Sequence, residues 1–250
     1  MMAGFQYKLI IEYDGTDFCG WQVQPGKRTV QGELEKALSI IAGSKVKTYA
    51  AGRTDSGVHA RMQVATFFLE KWIPPPVIQS RLARMLPKDM AVIRAAKAKP
   101  GFNPRREATR RIYRYYIAEA PAPLRRRYSY YYGRSLDLNE LNCCAAVFKG
   151  EHDFSLLCKR SSRKLNNVCI IFESRWFRRS GMICYEVCAD RFLHNMVRRI
   201  VGVMLAYERS KLSLTQIEAI LNNSFDDQVK YNVPACGLIL HEIRFGKAGK

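Results

Sequence analysis

The sequence predicts an α+β fold of two successive βαββαβ halves with a ferredoxin-like pattern. Three observations carry that reading. Short runs with an apolar period of two alternate with longer runs of helical period, their order is strand, helix, strand, strand, helix, strand, and that order repeats once.

The first strand is the run Tyr7 to Tyr13, in which Tyr7, Leu9, Ile11 and Tyr13 share one face. A helix follows, with Val30, Leu34, Ala37, Leu38 and Ile41 on its apolar side, Thr29 as N-cap and Gly43 just past its end. Short strands are expected from Lys45 to Ala50 and from Arg61 to Leu69. Ile78, Leu82, Met85 and Leu86 mark a second helix, which starts after Pro74-Pro75-Pro76 and stops at Pro87; Met90 to Ala96 closes the half as a strand. In the second half, Arg111 to Ala118 reads as a strand. Asp137, with Glu140 three residues on, opens a helix with Leu138, Leu141, Ala145 and Phe148 on its buried face and its end at Gly150. Val168 to Phe177 and Met182 to Ala189 form a hairpin around Ser180-Gly181. Phe192 to Glu208 is a long helix, Ser213 and Gln216 cap another, and Leu238 to Phe245 is the last strand. Pro100-Gly101 and Asn103-Pro104 break periodicity, so the halves are 1–104 and 105–250.

A chain of 250 residues with 48% hydrophobic content can bury a sizeable core, which argues against disorder. No apolar run approaches the roughly 20 residues of a membrane span, and the start lacks the apolar core of a signal peptide, so a cytosolic location is expected. Eight cysteines contain no C-x-x-C pair and four histidines are scattered. No metal site is expected, and the cysteines read as free thiols. The formal charge of +19 points to a polyanionic partner. Nine arginines from Asn103 to Arg134 face only Glu107 and Glu119 and are interleaved with seven tyrosines; seven basic residues from Lys159 to Arg179 face only Glu173. Arginine forks with aromatic faces between them favour structured RNA over lipid.

Ala51-Gly52-Arg53-Thr54-Asp55-Ser56-Gly57-Val58-His59-Ala60 sets a carboxylate and a guanidinium two residues apart in a glycine-bracketed loop between apolar runs. Such a loop presents a reactive acid. An Asp before Ser-Gly also hydrogen-bonds its own backbone in a tight turn, and spacing alone favours that turn. His59 and His152 lack partners at readable spacing and are assigned to packing or turns.

This loop resembles the active-site motif of the tRNA pseudouridine synthase A family, with Ser56 where that family usually has Ala. Further segments are similar in the same order: Glu12-Tyr13-Asp14-Gly15-Thr16, Phe18-Cys19-Gly20-Trp21-Gln22, Arg111-Ile112-Tyr113-Arg114-Tyr115, Gly150-Glu151-His152-Asp153-Phe154, Phe192 to Arg198, and Pro234-Ala235-Cys236-Gly237-Leu238. Ser161 to Ile171 fits less well, because Val168-Cys169 occupies the position where a basic residue is expected. The resemblance implies the pseudouridine synthase fold, with both halves joined into one extended mixed or antiparallel sheet, helices on one face and a basic cleft across one face. It implies isomerisation of uridine to pseudouridine at positions 38 to 40 of the tRNA anticodon stem-loop, without cofactor or metal, by a homodimer.

Under the same resemblance Asp55 is the catalytic carboxylate. It attacks C1′, adds to C6 of uracil or abstracts a ribose proton; the sequence leaves all three open. Tyr113 stacks on the target uracil and helps in proton removal, although a tyrosine in an alternating strand also fits simple packing. Arg198 pairs with Asp55, yet by pattern alone Arg198 and Arg199 are hard to tell apart. On the predicted helix Arg198 shares a face with His194 and Gly202, and Gly202 admits a neighbouring backbone. Arg53 enters the RNA stack as the target base swings out, and Phe154 and Leu238 line or support the pocket. The rival readings are a synthase with another RNA target, a non-catalytic RNA-binding protein, which lacks the aromatic-rich RNP pattern, and a retaining glycosidase, which lacks a second local carboxylate.

Overall fold

The computed structural model describes residues 4–163, 165–225 and 229–246. Met1, Met2 and Ala3 of the start and Lys164 of the second basic run lie outside the described residues. The chain divides into two compact units, Met1–Thr109 with Leu240–Lys250, and Arg110–Ile239. The sequence places its boundary at 104/105; the first compact unit runs to Thr109 and also takes the residues from Leu240.

In the first unit β1 (Phe5–Tyr13) runs antiparallel to both β3 (His59–Leu69) and β4 (Met90–Lys97). The two-residue β2 (Tyr49–Ala50) pairs with β3, and β10 (Leu238–Phe245) follows β3 in the sheet order. The alternation read in β1 decides its faces: Tyr7, Leu9, Ile11 and Tyr13 are buried, whereas Glu12 is exposed. Burying four large side chains of this kind contributes roughly 1.5–3 kcal/mol each. The helices α1 (Val30–Ala42) and α2 (Pro75–Met85) add Val30, Leu34, Leu38, Ile78 and Leu82 to this core. Thr29 Oγ1 accepts from the Gly32 N–H, and Gly43 ends α1 with φ 70°, as its caps predict. The strand expected from Lys45 shrinks to Tyr49–Ala50 because side chains of α1 take its donors: Val46 N–H gives to Ser39 Oγ and Thr48 N–H to Glu35 Oε1. At the sheet's edge, Gln79 of α2 donates to Ile93 O and accepts from Ala95 N–H of β4. The short α3 (Pro104–Glu107), which the pattern did not disclose, is capped by Asn103.

The second unit holds β5 (Ala108–Ala118), β6 (Tyr130–Tyr131), α4 (Leu138–Val147), β7 (Gly150–Asp153), β8 (Val168–Arg179), β9 (Met182–Ala189), α5 (Met196–Glu208) and α6 (Leu214–Leu221). Its sheet order is β5-β9-β8-β7, each pair antiparallel, with β6 parallel to the end of β5. Ser180 (φ 51°) and Gly181 (φ 72°) form the β8–β9 turn, both in the left-handed region that a two-residue hairpin turn requires. Asp137 accepts from the Asn139 and Glu140 N–H groups at the start of α4, and Ser213 and Gln216 make a reciprocal capping box on α6. Helix α5 starts at Met196 rather than Phe192, because Asn195 sits at φ 64° and a left-handed residue cannot continue a right-handed helix. Strand β7 escaped detection because Gly-Glu-His-Asp shows no apolar alternation. Cys144, Cys184 and Cys188 are buried like small hydrophobes, and burial pushes the Cys144 and Cys184 thiols up to about 12. Among the described residues no helix is long and apolar enough to cross a membrane.

Candidate active site

The backbone around Asp55 is fixed on both sides by its own unit. Before it, Ala51 N–H bonds Val64 O, Gln63 Nε2 bonds Gly52 O, and buried Thr54 bonds the Tyr13 hydroxyl at 2.8 Å. Burial pushes the Tyr13 phenol up to about 12, so it stays a neutral hydrogen-bonding partner. After it, Val58 N–H closes back on Asp55 O at 3.1 Å, and Gly57 takes φ 75°. Asp55 is thereby half-buried at the mouth of a turn, and Arg53, two residues earlier, is exposed.

A second loop, Gly15 to Trp21, carries this turn. Trp21 N–H donates to Thr54 O at 3.0 Å, and Phe18 O accepts from both Gly57 N–H and Ser56 Oγ at 3.3 Å. The two backbones lie so close that a Cβ on Gly15 would stand 2.1 Å from Val58 O, and one on Gly20, itself at φ 81°, would stand 2.7 Å from Thr54 O. Gly52 has open space around its Cβ position and no left-handed φ. The glycines that geometry demands are therefore Gly57 and the two in the supporting loop. His59 Nδ1 lies 3.0 Å from the Gly15 nitrogen and 3.1 Å from Asp14 Oδ1, which makes it a buried turn residue as its isolation suggested. Arg28 closes the support. Its guanidinium forks onto Asp89 at 2.7 and 2.8 Å and lies 4.1 Å over the Phe18 ring, while its carbonyl accepts from Cys19 N–H. The sequence reading missed Arg28; its place between the Phe18 loop and α1 was the available signal.

In the second unit Tyr113 lies opposite Val187 on β9, 8% exposed, with its ring edge-on to Phe192 at 5.1 Å. That contact joins it to the segment leading into α5, where Arg198 stands. Arg198 donates through Nε to Val233 O at 2.7 Å and through Nη1 to Asn195 Oδ1 at 3.2 Å. Arg199 points elsewhere, toward the carbonyls of Leu156 and Val229; among the described residues its buried Nε has no hydrogen-bond partner, and burial lowers its pKa. Structure thus separates two arginines that pattern could not. Gly202 lets the 231–233 backbone cross α5 as expected, since a Cβ there would stand 2.8 Å from Tyr231 C. His194, however, precedes the helix and shares no helical face with Arg198; its Nδ1 bonds Ser162 Oγ at 3.0 Å and its carbonyl takes Lys159 N–H.

Leu238 and Phe154 are both buried, and each ends a segment that is tied down. Pro234 O accepts from the Tyr115 hydroxyl at 2.8 Å, and a Cβ on Gly237 would stand 2.7 Å from the Tyr115 ring. Phe154 N–H donates to Asn167 O. His152 turns its ring edge to Phe154 and bonds Lys149 O, a packing and turn role. Beside Val168-Cys169, which stand where a basic residue was expected, the guanidinium of Arg191 bonds Asn166 and Val168 O at 2.6–3.1 Å. Among the described residues no group of three or more His, Cys, Asp or Glu could hold a metal ion.

Residues 9–105 and 144–246 match the model of a family described as tRNA pseudouridine synthase. The tRNA pseudouridine synthase A of Pelobacter propionicus is 36% identical over 246 residues, covering 95% of this chain and 98% of the relative. That of Chlorobium limicola is 37% identical over 236 residues, covering 94% and 97%.

Proposed function

The chain belongs to the tRNA pseudouridine synthase family, and we propose that it converts uridine to pseudouridine at positions 38 to 40 of the tRNA anticodon stem-loop with Asp55 as the catalytic carboxylate. The observation that carries this reading is the double anchoring of the Asp55 turn, at Thr54 and at Ser56-Gly57, on the Phe18–Trp21 loop. A carboxylate so held costs little reorganisation when charge develops beside it.

The reaction breaks the N1–C1′ bond, turns the uracil and joins C5 to C1′; the C5 proton leaves and N1 regains one. Atoms and charge balance without a redox partner. Asp55 serves as nucleophile, or as the anion facing positive charge at C1′. Tyr113 supplies a flat face for uracil and a phenol near the departing proton. Arg198 serves as the charged partner of Asp55; within its own unit its guanidinium is held by Val233 O and Asn195 Oδ1. Arg53, exposed on the same turn, takes the place of the flipped base, and Phe154 and Leu238 support the pocket wall. The enzyme acts as a homodimer, which light scattering coupled to size-exclusion chromatography at micromolar concentration checks by mass.

Asp55→Asn keeps shape and removes the carboxylate. Mapping of pseudouridine in tRNA after incubation should show none with the Asn protein, while tRNA binding stays within a few-fold. Measurable turnover by that variant would remove Asp55 from the mechanism, and product at other uridines would reassign the target.

A further inference from the structure

Arg125 of the first basic run and Ser180 just past the second, 55 residues apart in sequence, meet at one end of the second unit. Arg125 sends Nη1 to Ser180 O at the β8–β9 turn, and it and Leu124 border a depression of about 410 Å³ with Gly181 and Met182. Arg125, Arg126, Arg127, Arg178 and Arg179 are all exposed there. Glu119 is the carboxylate among them, and Arg178 already holds it at 2.6 Å. From Pro121 to Ser135 and from Ser174 to Tyr185 the sequence contains no acid. Five guanidinium groups against one carboxylate leave a surplus of about four charges on one rim, which self-repulsion disfavours unless a polyanion is met.

The place of this rim in the sheet says what it can touch. Tyr113 and Glu119 are six residues apart along β5 and its continuation, so at about 3.3 Å per residue the rim lies roughly 20 Å from Tyr113. A side chain there cannot reach a nucleotide stacked on Tyr113, but it can reach the backbone of the helix that nucleotide belongs to. We propose that this rim is a phosphate-binding surface that grips tRNA backbone remote from the target uridine, with Arg125 and Arg178 fixing the rim and Arg126, Arg127 and Arg179 making the contacts. The proposal rests on tRNA as substrate, not on the role of Asp55.

The test is filter binding of the variant Arg126→Gln/Arg127→Gln/Arg179→Gln across salt concentration, with full-length tRNA and with an anticodon stem-loop cut to the pairs next to the target. For full-length tRNA, affinity should fall roughly tenfold or more and the slope of log affinity against log salt should flatten by about 2–3, as three lost phosphate contacts require. Affinity for the short stem-loop should stay within about twofold. The matching Lys variant, which keeps charge, should retain the wild-type slope and shows whether the change is electrostatic. Unchanged affinity and slope for full-length tRNA would overturn the proposal, and so would equal losses on both RNAs, which would place the rim at the target nucleotide. Pseudouridine formation by the wild-type enzyme tests the catalytic reading separately.

Discussion

Arg28→Met asks whether the support beneath the Asp55 turn is catalytic in consequence or only structural. Met keeps much of the volume and removes the fork to Asp89 and the charge over Phe18. Both partners of the fork are partly exposed, with side-chain exposures of 34% and 25%, so after solvent screening it is worth about 1–1.5 kcal/mol. The cation over Phe18 adds about 0.5–1 kcal/mol. The sum, about 2 kcal/mol, should lower the melting temperature by roughly 4–8 °C in a chain of this size. Because Phe18 O holds Ser56 and Gly57, the loosened loop should also release the Asp55 turn. If the whole sum is spent on aligning the carboxylate, kcat falls about thirtyfold; tRNA affinity should stay within about twofold, since Arg28 is placed on protein groups. Single-turnover rates with enzyme in excess, alongside calorimetry, read both effects. A melting temperature that falls while the rate stays within twofold would refute the coupling and leave Arg28 a purely structural clamp. Arg28→Lys, with charge but no fork, should fall between the two.

Gly20→Ala should abolish most activity, because its Cβ would meet Thr54 O at a φ of 81°, whereas Gly52→Ala should be nearly silent; initial rates on tRNA compare them. Arg198→Met should lower kcat far more than tRNA affinity, and Arg199→Met should act mildly on both; loss of affinity with the rate on bound RNA preserved would make Arg198 a docking residue. Arg53→Ala should impair reaction on a folded anticodon stem-loop much more than on an unpaired uridine, where unstacking costs least. Equal losses on the two substrates would assign Arg53 to shaping the loop.

Where local chemistry decides structure, the sequence was readable. The alternation in β1, Thr29 and Gly43 at the ends of α1, and the Ser213–Gln216 box each act within a few residues, so pattern suffices. It failed where distant groups compete. The backbone of 45–48 was lost to Ser39 and Glu35, and the start of α5 to a left-handed Asn195. The candidate site divides in the same way. Asp55 and its turn stand out as a motif, and resemblance supplied Tyr113 and Arg198. The supports are invisible in one dimension: Arg28 reaches Asp89 across 61 residues, and nothing in the pair Arg198-Arg199 says that one faces Val233 and the other Leu156.

The amide of Gln79 has a consequence for how this chain behaves among copies of itself. Strand β4 is the last in its sheet and shows Ile93 to solvent, the kind of border on which a neighbouring molecule adds a strand and starts an aggregate. By occupying Ile93 O and Ala95 N–H, one side chain imitates the next strand for a single step and then ends. A colliding molecule meets a helix where it would need a ladder, and the exposed charges of Arg94 and Lys97 in the same strand add to the protection of this margin against fibril-like growth.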